Sequence, residues 1–345
     1  MTTEPTLPAP PHWDAHESTS EGTLEEAPDD LALDLAEVEP DDPDQDPDLA
    51  IETPPVETPP VEPPAIETSP AEQAAAQTKA TRPWWKAPGW VPKQHGAWAM
   101  LLTPFAIGAS ERARANTAGW WLVSLLLCWV LGYFAFNAAS LWLRSTPRRR
   151  PERQLPVLVY AGASAAFGIL TAALVGWSLL WWILPFLPLL GATLWLVIHG
   201  KERSVASGGL TVAAASLMTL VARFPDPSAL LGTFDTSSTQ RVIGLTLAVF
   251  GYFFGTILYV KTMIRERGSQ AWLNVSLGWH TLCTAGAAAA VLWAGAGRWW
   301  PLFFLATAVR AWVLPTIALK RPIRPVLVGT FEAVLTLTLV GLCFL

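Results

Sequence analysis

From about residue 95 onward, apolar residues come in runs close to twenty long, separated by short polar turns that hold most of this region's charge. The hydrocarbon core of a bilayer takes about 20 helical residues, so such runs read as membrane spans. They fall at 95–110, 119–142, 156–176, 178–198, 205–222, 242–260, 271–295, 299–319 and 325–345. The pattern predicts an all-α, polytopic membrane bundle of about nine transmembrane helices, occupying 83–345. The first run is short and contains Pro104. The fourth contains Pro185 and Pro188, which predicts a kink. The polar stretch 223–240 reads as an exposed loop. Tryptophan pairs at 84–85, 120–121, 181–182 and 299–300 stand at run ends, where an amphipathic ring anchors to the membrane interface.

Before the first run the chain is a different polymer. Residues 1–78 hold 21 Asp and Glu and no Lys or Arg, while 79–345 hold all 23 basic residues against 7 acids. The acidic part repeats E-T-P-P-V-E-T-P-P-V between Glu52 and Val61 and lacks apolar periodicity. It buries too little surface to offset its ordering entropy, so 1–82 is expected to be a disordered, Pro-rich acidic tail. A flexible chain of that length spans roughly 45–55 Å. It serves as a solvating tail, folds back over the chain's own basic loops, or recruits a basic partner. The opening M-T-T-E-P-T-L has neither a basic nor an apolar signal region, so no secretory signal is expected.

At 52% apolar and 15% charged residues, the chain is too hydrophobic for an ordinary soluble domain, and a bilayer rather than a nucleic acid is its expected partner. Placing the N-terminus in the cytoplasm puts 17 basic residues inside, four before the first run and the rest in the turns. Outside are five: Arg112, Arg114, Arg223, Arg241 and Arg298. This bias predicts a multi-pass cell-membrane protein with a cytoplasmic N-terminus and, after nine spans, an external C-terminus.

The densest charge is the hinge 137–156, with Arg144, Arg148, Arg149, Arg150 and Arg153 against the single carboxylate Glu152. Such a cluster either marks the cytoplasmic face or builds an anion site. The candidate ligand-binding set is Gln94, His95, Asn137, Arg144, Arg149, Arg153, Lys201, Arg203, Lys261 and Arg265, expected to converge on one cytoplasm-facing cavity. Guanidinium groups bind phosphate bidentately, which suits a diphosphate or a lipid headgroup. Separately, Arg310 and Glu332 fall near the middle of the last two spans, which a short turn makes antiparallel neighbours. An isolated charge at that depth costs at least about 2.5–3.5 kcal/mol, so the two are expected to pair, with His280 close by. Cys128, Cys283 and Cys343 lie in apolar runs without metal-ligand spacing, and no catalytic triad order or phosphate-binding glycine loop stands out.

The stretch P-K-Q-H-G-A-W-A-M-L-L-T-P-F at 92–105 resembles the opening signature of the bacterial YwiC-like integral membrane proteins. The resemblance continues through the hinge, H-G-K-E-R at 199–203 and Y-V-K-T-M-I-R-E-R-G at 259–268. The layout is also similar, more distantly, to the UbiA family of intramembrane prenyltransferases. Their Asp-rich motifs after spans two and six hold Mg²⁺ on a prenyl diphosphate. Asn137 and the Arg-Pro of the hinge match the first motif, and Lys201 with Arg203 matches a basic pair after span four. The motif aspartates, however, fall on Ala138, Leu141 and Ser145, and Glu266 is the one acid near the second motif. Mg²⁺ requires carboxylate or phosphate oxygens, so the resemblance implies the scaffold without its metal site, and no cofactor is evident.

Three function classes follow. The first is binding of an isoprenoid diphosphate or anionic lipid in the basic cavity, with transferase activity disfavoured by the missing aspartates. The second is a small-solute or anion transporter using Arg310, Glu332 and His280. The third is a non-catalytic membrane scaffold that recruits partners through its tail.

Overall fold

The computed structural model describes residues 89–92, 96–321 and 323–345. The acidic tail, Trp84, Trp85, Gln94 and His95 lie outside the described residues. The described chain is helical, without strands: α1 (Ala97–Arg114), α2 (Trp121–Leu143), α3 (Arg150–Val175), a 3-10 turn (Trp177–Trp182) running into α4 (Ile183–Ile198), α5 (Val205–Arg223), short α6 (Pro227–Gly232), α7 (Ser237–Ile264), α8 (Gln270–Ala294), α9 (Trp299–Lys320) and α10 (Pro325–Cys343).

Eight of these segments are long and apolar enough to cross a membrane: α2, α3, the 3-10 turn with α4, α5, α7, α8, α9 and α10. The ninth expected span is α1, 18 residues with Glu111, Arg112 and Arg114 in its last turn. The described fold therefore has eight candidate membrane-spanning helices and one further long helix that carries charge at one end.

Contacts at the two ends of the bundle fix the up-and-down order. At one end, here the basic end, Arg144 after α2 pairs with Glu202 between α4 and α5, and Arg267 between α7 and α8 donates to the Ala318 carbonyl near the end of α9. At the far end Arg112 of α1 donates to the Arg223 carbonyl (3.1 Å), and Arg241 at the start of α7 donates to the Cys343 carbonyl of α10 (2.9 Å).

Helix α7 is the centre: 67% of its most apolar stretch is buried. Tyr252, Phe253, Ile257, Leu258, Tyr259 and Val260 are all buried, and a helical stretch apolar and buried on every side is an interior element. Around it pack α5, α8 and α9, with α1 wedged between α5, α7 and α10. The α1–α5 approach depends on Gly108, where a Cβ would stand 2.4 Å from the Thr219 carbonyl oxygen. Elsewhere large apolar side chains face outward, among them Leu292, Leu337 and Val326, as a lipid-facing surface requires.

Helix starts follow from capping chemistry. Ser204, Thr236 and Ser269 each accept a backbone N–H three residues on, opening α5, α7 and α8. In the 223–240 stretch, read from sequence as a loop, Asp226 caps α6 with Pro227 at its first position. The fourth run opens as a 3-10 turn, so α4 begins only at Ile183. Pro185 then lies in the first turn of α4, where its missing N–H interrupts no helical bond. In two of the tryptophan pairs the rings divide the work. Trp120 and Trp181 are 87% and 63% exposed, while Trp121 and Trp182 are buried, Trp182 donating to the Phe224 carbonyl at 2.8 Å.

Candidate functional site

Four helices meet at a charged cluster inside the bundle. On α7 the spacing of Tyr252, Gly255, Thr256 and Tyr259 puts all four on one face. Opposite them α9 supplies Arg310, α10 supplies Glu332 and α8 supplies His280. Arg310 Nη1 bonds Glu332 Oε1, and the two side chains are only 6% and 12% exposed. Arg310 lies ten residues before Lys320, about 15 Å along α9 at 1.5 Å per residue, so the pair sits well within the membrane-spanning segments.

Each charged group has further partners. Glu332 Oε2 accepts from Thr256 Oγ1 (3.1 Å) and Tyr252 Oη (3.3 Å). Tyr252 Oη also lies 3.1 Å from the Glu332 carbonyl and 3.1 Å from Thr336 Oγ1. The guanidinium carbon of Arg310 is 4.3 Å from the centre of the Tyr259 ring, a cation–π contact strengthened by exclusion of water. His280 Nδ1 lies 2.7 Å from the Ser276 carbonyl, which can only accept, so Nδ1 carries the proton. The free lone pair on Nε2 then accepts from Arg310 Nη2 at 3.3 Å. Gly255 makes this possible: a Cβ there would be 3.0 Å from His280 Nε2.

The cluster is not fully satisfied. Arg310 Nε, Tyr259 Oη and Ser276 Oγ are buried without a hydrogen-bond partner. Burying such a group unpaired costs about 1–3 kcal/mol, so three on the helices that wall one guanidinium is a notable cost.

The basic end is organised differently. Arg144, bonded to Glu202, joins the hinge to the α4–α5 turn, and Arg203 lies 3.9 Å from the same carboxylate. Arg153 Nη1 donates to buried Ser145 Oγ (3.0 Å) and Arg150 Nε to the Ser145 carbonyl (3.3 Å), so Ser145 orders the hinge. Arg149 and Lys201 are exposed on these two turns, and Asn137 is half-buried on α2. Lys261 is buried in the last turn of α7, 3.8 Å from Glu266 and 3.5 Å over the Trp272 ring, and Arg265 caps α7. Thus the Arg144–Glu202 pair joins the first two basic turns, while Lys261 contacts Glu266 of the third and Trp272 of α8. A shallow pocket at this end is lined by Thr262, Glu266, Gln270 and Thr316 among others, with no Arg or Lys in its wall.

At the far end the buried carboxylate of Glu111 lies 3.3 Å from Arg241 and 3.5 Å from Arg114. Both arginines also bond the last carbonyls of α10, at Cys343 and Phe344.

Sequence reasoning missed this far-end network, and it missed Tyr252, Gly255, Thr256, Tyr259 and Thr336. Spacing alone put the four residues of α7 on one face, but in an apolar run tyrosines read as packing.

Comparison with known proteins places the chain. A family model described as YwiC-like protein matches residues 91–223. The Bacillus subtilis (strain 168) protein named "Uncharacterized protein YwiC" is 30% identical over 222 residues, 64% of this chain and 84% of that protein. The chain belongs to the YwiC-like family. A Haemophilus influenzae relative, named only as an uncharacterized protein, is 27% identical over 196 residues, 56% of this chain and 75% of that one. No solved structure matches. The match to the family model spans α1 to α5 and ends at 223, so Arg310, Glu332 and His280 lie beyond it.

Proposed function

We propose that this YwiC-like protein is a membrane transporter for a small polar or charged solute, with its site at Arg310, Glu332 and His280. The observation that carries this reading is the buried Arg310–Glu332 pair with His280 on the arginine. A bundle that needed only packing is as stable, or more so, with apolar residues of similar size in place of a buried ion pair. Charged groups inside a membrane bundle characteristically face pathways and bind what moves along them. The test is electrical recording from liposomes containing the purified full chain, challenged with a panel of small ions and polar metabolites. A solute-evoked current is expected from the natural chain and none from the Arg310→Leu, Glu332→Leu double variant. Equal currents from both would overturn the reading.

A second reading is favoured by the Arg144–Glu202 clasp, which brings two basic turns together. An anionic lipid headgroup or isoprenoid diphosphate would sit on Arg149, Arg153, Lys201 and Arg203, extending toward Lys261 and Arg265, in a UbiA-like layout of nine spans that includes α1. Asn137, Gln94 and His95 would complete its wall. In this reading the N-terminus is cytoplasmic and the acidic tail competes for the same basic turns. Mass spectrometry of lipids that co-purify with the protein tests it, and a neutral-lipid profile would sink it.

A further inference from the structure

We infer that the Arg310–Glu332 site couples a small monovalent anion to one proton. This inference rests on the transport reading and names what is carried. The ion pair has no net charge, so an anion entering alone would leave one uncompensated negative charge in the membrane. Two negative groups would also compete for one guanidinium. If Glu332 first takes a proton from water, Arg310 keeps its charge, Nη1 is released, and the anion takes the carboxylate's place. The net charge is zero before and after.

The surroundings of Glu332 fit both states. Its Oε2 faces two hydroxyls, Thr256 Oγ1 and Tyr252 Oη, and a hydroxyl either donates or accepts. A proton on Oε2 is therefore received by the same groups that now donate. Tyr252 Oη keeps alternative acceptors at the Glu332 carbonyl and Thr336 Oγ1. The second, independent observation is the set of polar atoms buried without partners: Arg310 Nε, whose N–H has no acceptor, with the Tyr259 and Ser276 hydroxyls on α7 and α8. The guest must be small, since a Cβ on Gly255 would already crowd His280. A halide or a short carboxylate fits that description.

The ionisable neighbours of the pair include Tyr259, stacked on Arg310. Arg310 faces Glu332 from α9, Tyr252 faces it from α7, and His280 on α8 acts through Arg310. From α1, Glu111 and Arg114 sit at the far end, by Phe344, about 18 Å along α10 from Glu332.

The experiment uses the full chain in detergent, in weakly buffered solution, with sodium chloride or sodium formate as the probe. Wild type is expected to take up about one proton per anion bound, with affinity falling about tenfold per pH unit wherever Glu332 is ionised in the anion-free protein. Glu332→Gln keeps the shape and removes the charge. It is expected to bind the probe with the same affinity across the range and to take up no proton. Wild-type binding that is independent of pH, or proton uptake that persists in Glu332→Gln, overturns the coupling. Failure of wild type to bind either probe at about pH 5.5 overturns it as well. A solute-evoked current in liposomes without proton uptake would leave the transport reading standing and remove this one.

Discussion

Removing Arg310 alone should damage the bundle more than removing Arg310 and Glu332 together. In Arg310→Leu the Glu332 carboxylate stays in a pocket where its side chain is only 12% exposed, with two neutral donors, Tyr252 and Thr256, in place of a cation. Leaving one member of a buried pair uncompensated costs about 3–5 kcal/mol. Adding Glu332→Leu removes the stranded charge. Thr256 then loses an acceptor, whereas Tyr252 retains the residue-332 carbonyl and Thr336, so the double variant should lie within about 1–2 kcal/mol of wild type. The implied coupling energy is at least about 2 kcal/mol, well above what independent sites show. The charge swap, Arg310→Glu with Glu332→Arg, should recover stability only in part. It turns a carboxylate toward the acceptor nitrogen of His280, and it directs guanidinium donors at hydroxyls that must reverse their roles. Unfolding in a denaturing-detergent titration, followed by the fluorescence of the 19 tryptophans, compares wild type, Arg310→Leu, Glu332→Leu, the double variant and the swap. A coupling below about 0.5 kcal/mol, or an Arg310→Leu variant as stable as wild type, would refute the reasoning.

Three further outcomes are expected. Gly108→Ala drives a methyl against the backbone at the Thr219 carbonyl, which no rotamer change relieves, so a loss of about 1–3 kcal/mol or more in the same titration is expected. Glu202→Gln breaks a pair whose side chains are 39% and 20% exposed, and its stability should stay within about 1 kcal/mol of wild type. Cysteines placed at Thr146 and Ser237 should react with an impermeant thiol reagent from opposite sides of the membrane. Three membrane-crossing segments separate them, and labelling from one side would contradict the up-and-down order.

Helix positions were legible in the sequence because hydrophobic run length is a strong signal: the run read at 299–319 is the helix Trp299–Lys320, and the run at 205–222 is Val205–Arg223. Ends were read less well where polar residues extend a helix. Helix α7 starts at Ser237, five residues before the run begins, because Thr236 caps it and its first turn is hydroxyl-rich. The prominence of the hinge arginines, and the obscurity of Glu111, share one cause. Sequence displays the density of charge along the chain, whereas burial depends on which helix comes to lie alongside. Arg114 and Arg241 are 127 positions apart and meet on one carboxylate. Tyr252 and Thr256 likewise acquire a chemical role only because α10 places Glu332 against them.

The short spacing between α9 and α10, four residues, has a consequence for how the protein enters the membrane. Helix α9 brings an arginine and α10 a glutamate, each a penalty of about 2.5–3.5 kcal/mol for a helix inserting alone. Joined by so short a connection, the two emerge from the ribosome within seconds of each other and can partition as an electrically neutral hairpin. A nascent chain stopped after Lys320 should hold α9 in the bilayer less firmly than one that continues through Cys343. The last helix thus helps to seat the one before it.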